Sequence, residues 1–150
     1  MKLEPLMTYR AELKPPVDVG AGPFGARMIF EVTGGTFEGA RLKGEFLAGG
    51  GDWMLIDATA TGHLDVRGTM KTDDGAIIYV QYPGVMTINE KAQAALAGGS
   101  FDYGDTYFMT QPRFETGDER YAWLNAVVAV GEGRAGAGWV EYRVYACVNG

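Results

Sequence analysis

Apolar and polar residues alternate with period two along most of the chain, and short glycine-rich stretches interrupt the alternation. Successive side chains of a strand point to opposite faces, so the pattern predicts an all-β antiparallel protein whose strands each bury one face. Strands are expected at about 3–13, 25–33, 39–47, 60–72, 76–83, 105–114, 121–131 and 138–148. One segment breaks the period. Glu90 to Leu96, within TINEKAQAALAGG, is rich in helix formers and precedes Gly98 and Gly99, which predicts one short helix with a glycine stop between the fifth and sixth strands.

The 23 glycines gather in TGG (33–35), AGGG (48–51), AGGS (97–100) and GEGRAGAG (131–138), at strand ends where turns are needed. Eight strands joined mostly by short turns suit closure into a single antiparallel β-barrel of calycin-like shape, which removes exposed edges and can leave room for one small ligand. A two-sheet sandwich is the competing architecture. With 150 residues the chain fits one domain.

The stretch GHLDVRGTMKTDDGAIIYVQY, residues 62–82, carries the first candidate chemistry. A three-residue turn on Asp73, Asp74 and Gly75, with Gly75 in the left-handed region, sets Thr69 opposite Tyr79 and Arg67 opposite Gln81. Asp65, Arg67, Tyr79 and Gln81 then share one face, and Leu64, Val66, Met70, Ile78 and Val80 share the other. A two-residue Asp74-Gly75 turn would instead set Ile78, Val80 and Tyr82 beside Arg67. The polar face is open to two readings: a solvated surface pair, or an inward cluster inside a barrel whose apolar outer face is covered by neighbouring structure or another subunit. The inward reading is the one taken as the expectation.

Other residues join that cluster on the same reasoning. YAWLNAVVAV, read as a strand, sets Tyr121, Trp123 and Asn125 on one face, an aromatic and amide wall of the kind that lines small-molecule pockets. GGGDWML places Asp52 and Trp53 after a glycine run at a strand end, where barrel mouths carry functional loops. Arg113 and Glu115 share a strand face in PRFETGDERY, open to a reading as a surface ion pair or as part of the site, and Arg27 in FGARMIFEV is a further candidate inward cation.

Charge and composition narrow the functions. A net charge of −6 and a pI near 4.7, without a Lys/Arg cluster, argue against nucleic acid. With one histidine, His63, and one cysteine, Cys147, no transition-metal site is expected. No apolar run reaches the roughly 18 residues of a membrane span and the start lacks an apolar leader core, so no membrane partner and a cytoplasmic location are expected. Neither a dinucleotide-binding G-x-G-x-x-G after a strand nor a Walker loop is present, so no cofactor is expected.

The ordered segments PFGARMIFEVTGGTFEG, LKGEFLAGGGDW, TDDGAIIYVQYPGV, YFMTQPRFETGDERYAWLN and VEYRVY resemble the bacterial proteins grouped as domain of unknown function 3237, also called uncharacterised protein family 0311. The resemblance covers nearly the whole chain and implies a small antiparallel barrel of the allene oxide cyclase-like kind. It also implies that Asp52, Trp53, Asp65, Arg67, Asp74, Gly75, Glu115, Trp123 and Asn125 lie in the family's characteristic motifs, although the turn already explains Asp74 and Gly75.

Three functions are compatible with these residues. The first is a cofactor-independent enzyme acting on a small, largely apolar carbonyl or ring compound by isomerisation, cyclisation, elimination or hydrolysis. Asp65 or Glu115 would move a proton, Arg67 or Tyr79 would stabilise an oxyanion, and Arg27, Asp52, Trp53, Gln81, Tyr121, Trp123 and Asn125 would hold the ligand. The second is a carrier of a similar small apolar or aromatic molecule, and the third a homo-oligomeric structural module.

Overall fold

The computed structural model describes residues 1–150 in full. The strands are β1 (Lys2–Leu13), β2 (Val17–Gly22), β3 (Gly25–Glu38), β4 (Lys43–Phe46), β5 (Gly51–Ile56), β6 (Thr61–Thr72), β7 (Ile77–Thr87), β8 (Phe108–Thr110), β9 (Arg113–Glu115), β10 (Ala129–Gly136) and β11 (Trp139–Val148). Helix α1 (Glu90–Leu96) follows β7, and a 3-10 helix (Glu119–Ala126) precedes β10. Eight of the strands close a ring in the order β6, β5, β3, β1, β11, β10, β8, β7, and β7 pairs back onto β6; every neighbouring pair is antiparallel. Strand β4 bridges β3 and β6, β9 flanks β7, and β2 pairs only with β3. The fold is therefore the expected antiparallel eight-stranded barrel.

The eight ring strands differ from the eight read off the alternation. Residues 51–56, expected to lie between strands, form β5, and residues 17–22 form β2. The strand expected at 39–47 shrinks to Lys43–Phe46, because β3 runs on to Glu38. The 105–114 segment yields two short strands on either side of Pro112, which has no N–H to continue a ladder. The largest departure is at 121–131. There Asp118 caps a 3-10 helix by accepting from the Arg120 N–H at 2.9 Å, and Leu124 is fully buried, so local hydrogen bonding and one anchor override the period-two pattern.

The β6–β7 hairpin has the register expected of a three-residue turn. Gly75 sits at φ +94°, its N–H donates to the Thr72 carbonyl at 2.9 Å, and Arg67 pairs with Gln81 and Thr69 with Tyr79. The face assignment is reversed. Leu64, Val66, Met70, Ile78 and Val80 point into the barrel and are buried, whereas Asp65, Arg67 and Tyr79 are exposed. Burying each of those apolar side chains is worth about 1.5–3 kcal/mol, against well under about 1 kcal/mol for an exposed ion pair, so the apolar face takes the core.

The inward face of β10 carries Ala129, Gly131, Gly133 and Ala135. These small residues admit bulky neighbours: a Cβ on Gly133 would stand 2.6 Å from the Phe108 ring. Large side chains from the other strands fill one part of the interior and leave a cavity in another.

Candidate functional site

Strand register lines up the site. Phe30 pairs with Asp52, Asp52 with Val66 and Val66 with Tyr82, so one row crosses β3, β5, β6 and β7 on the inner face. Tyr9 and Tyr142 pair across β1 and β11. Their rings lie 5.2 Å apart between centroids, and the Tyr82 ring is 5.5 Å from Tyr142 and 6.1 Å from Tyr9. A carboxyl and three phenols thus gather inside the barrel.

Asp52, Tyr82 and Tyr142 line a cavity of about 300 Å³ whose other walls are mainly apolar, among them Phe30, Val32, Met54, Leu64, Phe108 and Trp139. Its exposed lining residues, Lys14, Pro15, Gly98, Ala137 and Gly138, mark the rim where the β1–β2 link, the β10–β11 turn and the end of α1 meet. Ala92, Ala95 and Leu96 of α1 close one side. That helix is held by Asn89, whose side chain accepts from the Ala92 N–H at 3.0 Å and donates to the Asp105 carbonyl at 3.1 Å.

Asp52 reaches the cavity through an opening in the sheet. The β5–β6 ladder pairs Gly51 with Arg67 and Asp52 with Val66, then resumes at Leu55 with His63. Within the gap the Asp65 N–H donates to Asp52 Oδ1 at 3.0 Å. Asp52 retains accessible surface because it lines a cavity, yet protein surrounds its carboxyl. Burial pushes that carboxyl up from 3.8 to about 7; the Asp65 N–H opposes the rise, the Asp65 charge adds to it, and Arg27 opposes it. Burial also raises all three phenols well above 10. The Tyr142 neighbour and then the Asp52 charge raise Tyr82 further, and Tyr9 and Asp52 do the same for Tyr142. The phenols therefore remain hydrogen-bond donors at neutral pH, and Asp52 alone among the four changes charge there.

Of the residues singled out from the sequence, Asp52 lies in this cavity. Asp65, Arg67, Tyr79 and Glu115 are exposed on the outer face and Gln81 is partly so, with Tyr79 paired to Glu115 and Gln81 to Arg113. The expectation that this face looks inward is corrected: it is the solvated side of β6, β7 and β9. Arg27 lies outside as well and donates to the Trp53 carbonyl at 2.7 Å, while the Trp53 side chain is 39% exposed. Tyr121, Trp123 and Asn125 are not on a strand. Within the 3-10 helix the Tyr121 hydroxyl donates to the Asp74 carboxylate at 2.8 Å, Trp123 stacks beneath Arg41 at 3.6 Å, and Asn125 bonds both the N–H and the carbonyl of Thr116. These contacts fasten the helix to the barrel.

Tyr9, Tyr82 and Tyr142 were missed in the sequence reading. The signal for Tyr82 was its phase, since it continues the apolar set of Ile78 and Val80. Asp52 likewise shares the phase of Met54, which marks a carboxyl on a core-facing position. No three His, Cys, Asp or Glu side chains gather as a metal site, and no helix is long and apolar enough to cross a membrane.

Fold and site together define a closed antiparallel β-barrel with a carboxyl and phenols at the wall of an apolar interior cavity. The chain belongs to the family described as protein of unknown function (DUF3237), which matches residues 1–147. It is similar to a crystallised β-barrel-like protein from Acinetobacter baumannii, at 38% identity and a TM-score of 0.82 over 97% of this chain and 94% of that one. A conserved protein of unknown function from Rhodopseudomonas palustris is 30% identical, with a TM-score of 0.92 over 99% of both chains. A protein described as an enzyme from Penicillium herquei shares the fold, with a TM-score of 0.72 at 22% identity over 97% of this chain and 94% of that one.

Proposed function

We propose that the barrel is a cofactor-independent acid/base enzyme that moves a proton on a small, largely apolar carbonyl or ring compound. The observation that carries this reading is a single carboxyl, Asp52, set beside two phenols in an otherwise apolar cavity. A group that ionises near neutrality is matched to both taking and returning a proton at working pH. The P. herquei protein, described as an enzyme, is support of a weaker kind, because the likeness is one of fold.

In this reading the Asp52 carboxylate takes a proton from the carbon next to a carbonyl. The released electron pair forms a carbon–carbon double bond and the carbonyl pair moves onto oxygen. Tyr82 and Tyr142 hydroxyls donate to that oxygen, as preorganised donors do where charge develops. Return of the proton from Asp52 to another atom completes an isomerisation or ring closure with no net gain or loss of electrons. The apolar walls keep water from the intermediate.

The test is proton exchange. A panel of small cyclic ketones and enones is incubated in deuterated water with the parent protein and with Asp52→Asn, and deuterium next to the carbonyl is followed by NMR. Exchange with the parent should exceed that with Asp52→Asn by about 100-fold or more for at least one compound, the usual scale of a positioned acid or base. Tight binding of panel members with equal, background exchange in both proteins would replace the enzyme with a carrier.

A further inference from the structure

Two buried hydroxyls have no partner at hydrogen-bond distance and angle, Tyr9 Oη and Thr110 Oγ1, although the Tyr82 hydroxyl lies near enough to Tyr9 to help raise its pKa. Their settings differ. Thr110 pairs in register with Gly84 and Gly131 and lies outside the cavity lining. Tyr9, 1% exposed, stands behind the lining with Phe46 on one side and Tyr82 and Tyr142 on the other.

Phenylalanine has the same ring without the hydroxyl. A buried hydroxyl without a partner is destabilising, so packing alone favours Phe over Tyr at this position. The hydroxyl therefore points to a partner acquired in another state, and the phenol of Tyr82 is the group placed to become one.

We propose that Tyr9 is a positioning residue of the phenol cluster: its unpaired hydroxyl donates to the Tyr82 oxygen when Tyr82 donates to a negatively charged ligand oxygen. The inference rests on the oxyanion role given to Tyr82 above. Donation from behind makes the Tyr82 hydroxyl a stronger donor, because hydrogen bonds in a chain polarise one another. The rearrangement needed is small, since donors that are loose in an empty site commonly tighten when the charged species is bound. Burial keeps Tyr9 protonated and able to donate throughout the neutral range.

An electron-poor 2-naphthol tests this directly, because its neutral and ionised forms fluoresce at different wavelengths and its oxygen can carry full negative charge. Naphthalene reports apolar filling of the cavity alone. Binding of both is measured across pH for the parent, Tyr9→Phe, Tyr82→Phe and Thr110→Val, with urea unfolding of each.

Tyr9→Phe should unfold at the same or higher urea concentration than the parent and should bind naphthalene equally well. Its preference for ionised over neutral naphthol should fall by about threefold to tenfold, the scale of one hydrogen bond. Thr110→Val also removes an unpaired hydroxyl and should leave that preference unchanged. A Tyr9→Phe protein that is destabilised, or whose preference equals the parent's while Tyr82→Phe loses it, overturns the role of Tyr9 and leaves the reading of Tyr82 standing. An unchanged preference in Tyr82→Phe as well, or no naphthol binding to the parent, overturns both.

Discussion

The Asp65 N–H donates to Asp52 Oδ1 at 3.0 Å, which joins two carboxylate residues on adjoining strands whose side chains take opposite faces of the barrel wall. Asp65 stands in solvent and Asp52 lines the cavity. A main-chain donor that would otherwise serve the β5–β6 ladder instead holds one oxygen of the inner carboxyl. The hydrogen bond favours the ionised form, burial favours the protonated form, and burial wins.

The first prediction follows from that balance. The native protein binds the Asp52 proton more tightly than the unfolded chain does, so this contribution to stability is complete below about pH 4 and is lost as pH rises through about 7. The span is roughly three pK units, on the order of 4 kcal/mol. Asp57, Asp74, Asp102 and Asp118 are held below the ordinary carboxylate range by hydrogen bonds, so their contribution is lost only as pH falls below about 4. Between those limits the difference between parent and Asp52→Asn should isolate Asp52. Urea unfolding should show the parent losing stability from about pH 4 to 7 relative to the variant, with Asp52→Asn the more stable of the two above that range. Parallel curves would show that the carboxyl is not buried.

A second prediction separates the two faces of β6. Arg67 is exposed, so Arg67→Ala should change stability by no more than about 0.5 kcal/mol, as surface substitutions do. Its neighbour Met70 is fully buried, and Met70→Ala should cost about 2–5 kcal/mol by the lost transfer energy and the cavity left behind. Chemical unfolding of the two variants reads the difference. Comparable losses would mean that the Asp65 and Arg67 face is buried after all.

These residues also show how far the sequence could be read. Period-two alternation and the turn chemistry of Thr72 to Gly75 specify the β6–β7 register, because both are local. Which face turns inward is decided by closure of the whole ring, and a segregated polar face looks the same in one hairpin whichever side is wet. Asp52 could be picked out from its place after a glycine run at a strand end, whereas its core-facing phase with Met54 emerges only once residues 51–56 form a strand. Its grouping with Tyr82, Tyr142 and Tyr9 depends on β5, β6, β7, β1 and β11 meeting around the barrel, which no local window contains. The 3-10 helix was hidden for the opposite reason: Tyr121, Leu124 and Asn125 alternate as a strand would, but their partners are Asp74, the core and Thr116.

That helix gives a third prediction. Leu124 is its buried residue, whereas Asn125 is exposed but bridges Thr116 through bonds of 2.8 and 3.0 Å. Leu124→Ala should cost about 2–5 kcal/mol, and Asn125→Ala about 1–3 kcal/mol for the two lost hydrogen bonds. Hydrogen exchange should place the increased opening of Asn125→Ala around residues 113–126, without faster exchange of the β1–β11 pair. Uniform loosening of the barrel would show that the helix is part of the core rather than fastened to it.

The last prediction concerns the empty space. Ala11 is buried on β1, faces inward two residues beyond Tyr9, and lines the cavity. Strand geometry fixes the direction of its Cβ, so a larger side chain there enters the cavity rather than turning out to solvent. In a filled core Ala11→Leu would force its neighbours aside and destabilise by about 1–3 kcal/mol. A cavity of about 300 Å³ has room for three more carbons, so Ala11→Leu should instead leave stability unchanged or raise it by about 0.5–2 kcal/mol. The same side chain occupies space that a ligand needs, and naphthalene affinity should fall by about tenfold or more, the scale of one bulky group displacing apolar contacts. Urea unfolding and fluorescence titration of one variant therefore test both halves of the claim. Lower stability with unchanged binding would place the ligand space elsewhere and remove Asp52 from the site.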